Sequence, residues 1–151
     1  MRHRRGSLIA RFVIIAVSLL ALVAPGLAAA ADSQESIVGT WLTDDGDSKV
    51  EIVRSDSKYV GKVVWLKHPE RDGKPVRDRH NTDAALRDRP IMGLEILRGF
   101  SYTPNGTWTG GTVYSPRRGR SYPAEISIDK DGRLDLKVKA GFFSKHVYWT
   151  R

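Results

Sequence analysis

A charged segment gives way to an apolar strand within Ala85-Leu86-Arg87-Asp88-Arg89-Pro90-Ile91-Met92-Gly93-Leu94-Glu95-Ile96-Leu97. Runs typical of β-strands lie on both sides of this segment, so it divides the chain into two β-meanders. Pro90 favours an extended backbone at the preceding Arg89, and Gly93 allows the chain to bend. The sequence thus predicts a fixed corner that carries Arg87 and Arg89 at the start of a strand.

Turn-forming residues recur at short intervals after this corner. They separate five predicted strands, at Leu94–Arg98, Thr107–Tyr114, Ser121–Ile128, Leu134–Lys139 and Phe142–Arg151. In one of these strands Leu134, Leu136 and Val138 alternate with charged residues. That alternation is typical of a sheet with one buried face and one wet face.

Three further strands are predicted before the corner, at Val38–Thr43, Lys49–Arg54 and Lys58–Leu66. Between them and the corner, Lys67–Pro90 carries seven Lys or Arg residues and five Asp or Glu residues. A loop of this length inside a compact domain is either functional or a partly ordered flap. Thr82–Leu86 could form one helical turn within it, with Asp83 near the positive end.

Eight short strands joined almost entirely by hairpins predict an all-β fold. An open sheet of eight strands would leave two edges exposed, whereas closure pairs them. We therefore predict an eight-stranded antiparallel up-and-down barrel, a meander with one long charged loop. It would form a single domain over residues 38–151, after a flexible lead-in at residues 32–37.

The first 31 residues have the features of a signal peptide. Four arginines precede or begin an apolar run at Phe12–Ala24, Pro25-Gly26 ends the run, and Ala28–Ala31 offers a cleavage site. The run is shorter than the roughly 20 residues that a membrane-spanning helix needs. We predict that residues 1–31 are removed, which leaves an exported, periplasmic or secreted protein without a membrane anchor.

Charge and cysteine content narrow the classes of partner. The chain has 151 residues and a net charge of +8 from 25 Lys and Arg against 17 Asp and Glu. Removal of residues 1–31 takes away four Arg and no acid, so the charge falls to 21 − 17, or +4. Such a surface does not predict nucleic-acid binding. With no cysteine, the chain can form no disulfide and has no thiol nucleophile.

Two aromatic motifs lie at the ends of the predicted meander. Gly39-Thr40-Trp41 opens the first strand, and Trp149-Thr150-Arg151 closes the last. They resemble the lipocalin pattern, in which an arginine from the final strand lies across the Trp of an N-terminal G-x-W. The resemblance implies a lipocalin-like barrel in which Gly39, Trp41, Trp149 and Arg151 are structural, with a cation–π contact at one end.

The rest of the chain resembles the exported bacterial proteins of domain-of-unknown-function family 2147. The resemblance covers about Val38–Arg151 and rests on short motifs, namely Gly39–Trp41, Gly61–Leu66, Asn81–Pro90, Gly93-Leu94, Trp108–Gly111, Tyr114–Pro116 with Gly119 and Tyr122, and Trp149–Arg151. Many relatives carry cysteines where this chain has Val60 and Met92. The family brings no established activity and no cofactor, so the resemblance implies fold and export only, with Pro90 and Gly93 as structural residues.

No motif predicts an enzyme. His68, Glu70, His80 and Asp83 could form a metal site only if the long loop assembled them, and solvated surface histidines account for the same residues. Ser, His and Asp residues occur without the spacing of a nucleophile elbow. The sequence therefore predicts neither catalytic residues nor a metal or other cofactor.

Five residues are candidates for ligand binding. Arg87 and Arg89 lie two apart in an extended segment, so one is expected to pair with an acid such as Asp83 and the other to face solvent or an anion. Trp108, Tyr114 and Tyr122 are expected to face inward, with Gly110 leaving room between them. Core packing of these aromatics is the alternative to a pocket.

The sequence leaves two functions open. The first is a non-catalytic binder of a small, partly apolar or anionic ligand, which would enter at the mouth beside the charged loop. The second is a barrel filled by side chains that acts as a cell-envelope interaction or structural module, with Lys67–Pro90 in contact with an envelope protein. A cavity of a few hundred Å³ would favour the first, and a solid core the second.

We predict a mature N-terminus at Ala31 or Asp32, because the apolar run is too short to anchor the chain and the alanine run is cleavable. N-terminal sequencing of the protein from fractionated cells checks this. Full-length chain in the membrane fraction would contradict it.

Overall fold

The computed structural model describes residues 33–151, and the predicted signal peptide lies outside them. Ten strands follow one another, namely β1 (Gly39–Leu42), β2 (Ser48–Ser55), β3 (Lys58–Leu66), β4 (Glu70–Arg71), β5 (Lys74–Pro75), β6 (Glu95–Thr103), β7 (Thr107–Ser115), β8 (Arg120–Ile128), β9 (Leu134–Ala140) and β10 (Phe143–Trp149). A 3-10 helix at Ala84–Leu86 begins at Asp83, whose side chain accepts a hydrogen bond from the Ala85 N–H. The helical turn predicted there is confirmed.

Eight strands form one curled antiparallel sheet in the order β1-β2-β3-β6-β7-β8-β9-β10. Within this sheet each strand pairs with the next one in sequence, except that β3 pairs with β6 because β4 and β5 form a small separate hairpin inside the long loop. The predicted eight-stranded meander with one long loop is therefore confirmed. The first and last strands meet through a single bridge, in which Leu42 and Thr150 exchange backbone hydrogen bonds of 2.6 and 3.0 Å.

The two ends of the barrel differ. Because neighbouring strands run antiparallel, the β1–β2, β7–β8 and β9–β10 turns share one end with the long loop, which we call the mouth end. The β2–β3, β6–β7 and β8–β9 turns share the other end, the closed end.

Side chains fill the barrel at the closed end. Trp108 is 1% exposed, and its ring lies 5.1 Å from that of Tyr102 and 6.3 Å from that of Tyr59. Phe100 packs directly on the backbone of Gly111, where an added Cβ would lie 2.4 Å from the ring. Gly111 is therefore required for Phe100 to occupy the core.

The segment before β1 closes this end, although it was predicted to be a flexible lead-in. Ser33–Ile37 form a helical turn, and Ile37 is fully buried. Glu35 accepts hydrogen bonds from Arg54, at 3.1 Å, and from the Tyr59 hydroxyl, at 3.2 Å. The polar composition of the segment concealed these partners, because they lie on strands far away in sequence.

Arg151 lies over Trp41 at the closed end, as the G-x-W motif predicted. Its guanidinium carbon is 4.6 Å from the ring centroid, and its Nη2 donates to the carbonyl oxygens of Ser36 and Val38. Trp41 is 1% exposed and donates its indole N–H to the Ile37 carbonyl at 2.8 Å. One arginine thus holds the chain terminus, the lead-in and the first strand together.

We expect Trp41→Ala to lower the free energy of unfolding by about 3–5 kcal/mol, since the ring is fully buried. Trp41→Ala and Arg151→Ala should be coupled by about 0.5–2 kcal/mol, because the cation–π contact exists only when both are present. Urea unfolding of the two single variants and the double variant measures this. Strictly additive losses would contradict a direct interaction.

Candidate ligand-binding cavity

A cavity of about 690 Å³ opens at the mouth end of the barrel. Its floor consists of inward-facing side chains from the last four strands, namely Val113, Tyr122, Leu136, Val138, Val147 and Trp149. The opposite wall is formed by Leu66, by Ile96, by Val76 of the long loop and by Ile91, which directly follows that loop. The floor of the cavity is therefore apolar, while polar strand residues such as Ser48 and Lys145 line the cavity nearer the mouth.

The rim of the cavity is charged. Asp45 and Asp47 on the β1–β2 turn form ion pairs of 2.9 and 2.7 Å with Arg117 from the β7–β8 turn. Burial raises the pKa of Asp45, but hydrogen bonds from Thr43 and from the Asp47 N–H, with the charge of Arg117, outweigh this and lower its pKa overall. Two carboxylates against one guanidinium leave these three residues with a net charge of −1, and Arg117 is already held by both acids.

Four of the other rim cations have no carboxylate partner, and the acids Asp44 and Glu70 also line the cavity without an ion pair among residues 33–151. Arg71, Arg79, Arg118 and Lys145 line the cavity, and within residues 33–151 none of them forms an ion pair. They come from the long loop, the β7–β8 turn and β10, and all four are exposed. An anion at the mouth would therefore meet cations from three separate elements of the fold.

A buried carboxylate fixes the long loop beside the barrel. Asp78 is 1% exposed and accepts hydrogen bonds from the Tyr114 hydroxyl at 2.7 Å and from the Asn81 amide at 2.8 Å. It also accepts from Nε and Nη2 of Arg89, at 2.9 and 2.8 Å. Burial and the bond to Asp78 raise the pKa of Tyr114. Burial acts to lower the pKa of Arg89, but its bonds to Asp78 and Tyr114 raise it overall.

The predicted corner is fixed by backbone hydrogen bonds. Pro90 forms a β-bridge with Arg77, and Ile91 donates to the Val76 carbonyl at 2.9 Å. Gly93, at a φ of 78°, donates to the Val63 carbonyl at 2.8 Å. The corner therefore joins the loop to β3, which places Val76 and Ile91 in the cavity wall.

The loop also packs on the β7–β8 turn at Gly119. The φ of Gly119 is +66°, and an added Cβ would lie 1.6 Å from the carbonyl oxygen of His80. The Thr82 N–H donates to the Gly119 carbonyl at 3.1 Å. Only glycine permits this approach, so the two sides of the rim are held at a fixed separation.

Two of the five predicted ligand-binding residues line the cavity, namely Tyr114 and Tyr122. Arg87 instead donates to the Asn81 carbonyl at 2.8 Å, within the loop. Arg89 pairs with Asp78 and not with the suggested Asp83, and its guanidinium lies 5.1 Å from the Tyr114 ring. It borders a smaller depression of about 260 Å³ between the loop and the sheet.

The predicted face of β7 is wrong beyond Trp108. The strand bulges between Trp108 and Gly111, and Gly110 adopts a φ of 75° with open space around its α-carbon. A bulge adds one residue and reverses the alternation that follows. Trp108, Gly111 and Val113 therefore face inward, while Gly110 is exposed and Tyr114 meets the loop. Trp108 belongs to the closed-end core and not to the cavity lining.

The rim cations were not identified as site residues from the sequence. Their only sequence signal is the basic excess of the long loop and the Arg117-Arg118 pair in a turn, which also fits a solvated surface. Their convergence depends on how the loop folds over the mouth.

The described residues contain neither a cluster of metal-binding side chains nor a helix suited to crossing a membrane. Within residues 33–151, no three His, Cys, Asp or Glu side chains come together to hold a metal ion. His68, Glu70 and His80 line the cavity without forming such a group. In the same described range, no helix has the length and apolar character that a membrane crossing requires.

Comparison with known structures and families agrees with this architecture. The solved structure of the protein HP1028 from the human pathogen Helicobacter pylori, described as belonging to the lipocalin family, is similar with a TM-score of 0.63. The likeness covers 76% of this chain and 81% of that chain at 22% identity, and it shows the fold alone. This protein is thus a lipocalin-like β-barrel.

The family follows from the sequence match. The model described as "Uncharacterized protein conserved in bacteria (DUF2147)" matches residues 39–151, so the chain belongs to this family. No curated protein matches the chain.

We expect Asp78→Ala to destabilise the long loop by about 2–4 kcal/mol, since each hydrogen bond to a charged group contributes roughly 1.5–3 kcal/mol and Arg89 keeps some hydration. Asp88→Ala removes an exposed carboxylate from the same loop and is the matched control. Amide hydrogen exchange over residues 76–92 measures the effect. Equal protection in both variants would show that Asp78 does not hold the loop.

Proposed function

We propose that this protein is a non-catalytic binder of a small amphipathic anion. The observation that carries the proposal is one cavity with an apolar floor and a rim on which six Arg and Lys residues outnumber four Asp and Glu residues, with only Arg117 of these cations held in an ion pair among the described residues. The apolar part of the ligand lies against the floor, and its anionic group meets the rim.

The size of the cavity supports a small ligand. Binding pockets commonly enclose about 300–1,000 Å³ with mostly apolar walls and a few polar groups, and this cavity encloses about 690 Å³. A barrel filled by side chains, the alternative interpretation, would leave no such space at the mouth end. The packed core around Trp108 occupies the closed end only.

The charge of the rim supports an anionic group. Arg117 is occupied by Asp45 and Asp47, whereas Arg79, Arg118 and Lys145 have no ionic partner among the described residues. A carboxylate or phosphate placed among them gains charge-assisted hydrogen bonds. An uncharged ligand of the same shape gains only the apolar contact.

We place this activity outside the cytoplasm, in the periplasm or as a secreted protein. That part of the proposal rests on the N-terminal sequence, whose basic, apolar and small-residue regions suit a signal peptide.

Decanoate and the uncharged decanol form a matched pair of test ligands. We expect decanoate to bind saturably and to change the fluorescence of Trp149, which lies in the cavity floor and is 3% exposed. Arg79→Gln with Arg118→Gln should weaken decanoate by about tenfold, because a hydrogen bond to a charged group contributes roughly 1.5–3 kcal/mol. Decanol should change less than twofold.

Lys62→Gln is the control for loss of charge, since Lys62 lies on the outward face of β3. Val138→Trp should block the floor and abolish binding of both ligands. Binding that survives the Val138 variant, or that falls equally for decanoate and decanol in the arginine variant, contradicts the proposed site. Native mass spectrometry of protein purified from its own cells then shows whether an anion of this kind accompanies it.

A further inference from the structure

The β9–β10 hairpin ends in two exposed aromatic side chains at the mouth. Ala140 and Phe143 form its last pair, so Gly141 and Phe142 make a two-residue turn. The exposed fraction is 105% for Phe142 and 81% for Phe143. These rings therefore stand in solvent without support from the barrel.

This exposure sets the two phenylalanines apart from the other surface apolar residues of the described chain. The remaining large exposed hydrophobic side chains are 38–42% exposed, so each is more than half covered by its neighbours. Two adjacent and uncovered phenyl rings at a hairpin tip cost solubility without contributing to the core. Such a feature indicates contact with something outside the chain.

The two strands that lead to the tip are basic. No Asp or Glu occurs between Leu136 and Arg151, whereas Lys137, Lys139 and Lys145 lie on the two strands of the hairpin. Lys139 pairs with Glu125, and Lys137 and Lys145 form no ion pair within residues 33–151. An aromatic tip flanked by lysines is complementary to an anionic surface with an apolar layer beneath it.

The tip also lies beside the cavity. Ala140 and Lys145 line its rim, and the hairpin shares the mouth end with the long loop. A surface that received Phe142 and Phe143 would therefore face the opening of the cavity.

We propose that the β9–β10 tip docks the protein on an anionic phospholipid bilayer. Phe142 and Phe143 insert at the level of the headgroups, and Lys137 and Lys145 contact lipid phosphates. Docking in this orientation turns the mouth toward the membrane. The proposal goes beyond ligand binding and does not require the cavity to be occupied.

A second copy of the chain fits the tip less well. Standard interfaces bury roughly 800 Å² on each partner, whereas two phenyl rings supply about 300–500 Å². Two tips placed together would also bring like-charged lysines close to each other. An anionic bilayer offers opposite charge and an apolar layer of unlimited extent.

Vesicle flotation tests the docking directly. The chain is expressed in full and purified as the cell processes it, and N-terminal sequencing verifies that all variants share one N-terminus. Vesicles contain phosphatidylcholine with 30% phosphatidylglycerol, or phosphatidylcholine alone, at about 0.1 and 0.5 M NaCl, because salt screens lipid charge. We expect binding to the anionic vesicles at low salt and several-fold less binding in the other conditions.

The double variant Phe142→Ser, Phe143→Ser should lower the partition coefficient at least tenfold, and Lys145→Gln should lower it about fivefold. Val53→Ser removes an exposed apolar group near the closed end, and Lys130→Gln removes a cation there. Both controls should match the wild type. Circular dichroism verifies that each variant is folded, and Phe142→Trp provides a second measurement through quenching by brominated lipid.

Three results would contradict membrane docking by the tip. Equal flotation of the wild type and the serine double variant, or no quenching of Trp at position 142, excludes insertion of the tip. A Phe-dependent dimer in sedimentation, without vesicle binding, assigns the tip to self-association. Failure here is distinguishable from failure of the cavity proposal, since decanoate binding is measured without vesicles and the Val138→Trp variant should still float.

Discussion

The single bridge between Leu42 and Thr150 determines how this barrel is divided. β1 has four residues and β10 has seven, and the bridge joins the last residue of β1 to Thr150, directly after β10. Most of β10 therefore lies on the mouth side of the bridge, where it has no partner in β1. The sheet therefore closes beside Trp41 and Arg151 and remains open at the other end. Side chains fill the closed end, whereas the unmatched length of β10 leaves space for the cavity and carries the β9–β10 turn beyond β1.

The long loop replaces the missing strand contacts at the mouth. Its own sequence is too polar to bury, so a charged network takes the place of an apolar core. The buried Asp78 carboxylate accepts hydrogen bonds from Arg89, Asn81 and Tyr114. Burial of a carboxylate costs little free energy only if its oxygen atoms are fully hydrogen-bonded. Burial and the hydrogen bond to Asp78 raise the pKa of Tyr114 despite the opposing effect of Arg89, so the bond holds below the usual tyrosine pKa and is lost as the pH rises through the raised value.

The strands and the helical turn could be predicted from the sequence because their signals are local. Alternation around Leu136, turn residues between strands and the G-x-W motif each act over a few positions. The site could not be derived in the same way. The bulge at Gly110 reverses the face of Tyr114, and Asp78 and its partner Tyr114 lie 36 positions apart in the chain. Partners of this kind are decided by tertiary packing, so the sequence suggested Asp83 as the acid that pairs with Arg87 or Arg89. Instead, Arg89 pairs with Asp78 and Arg87 donates to the Asn81 carbonyl.

The division of the barrel also separates stability from binding. The closed end holds the aromatic cluster, the buried lead-in and the closing bridge, so most cooperative packing lies away from the mouth. Exposed cations and uncovered rings at the mouth carry little of the fold, because they contact few core residues. Such groups lower the stability of the fold only slightly, and they form favourable contacts only when a partner binds. The same asymmetry explains why the rim can keep unpaired charge beside an apolar floor, since solvent hydrates each cation until a ligand or a surface replaces the water.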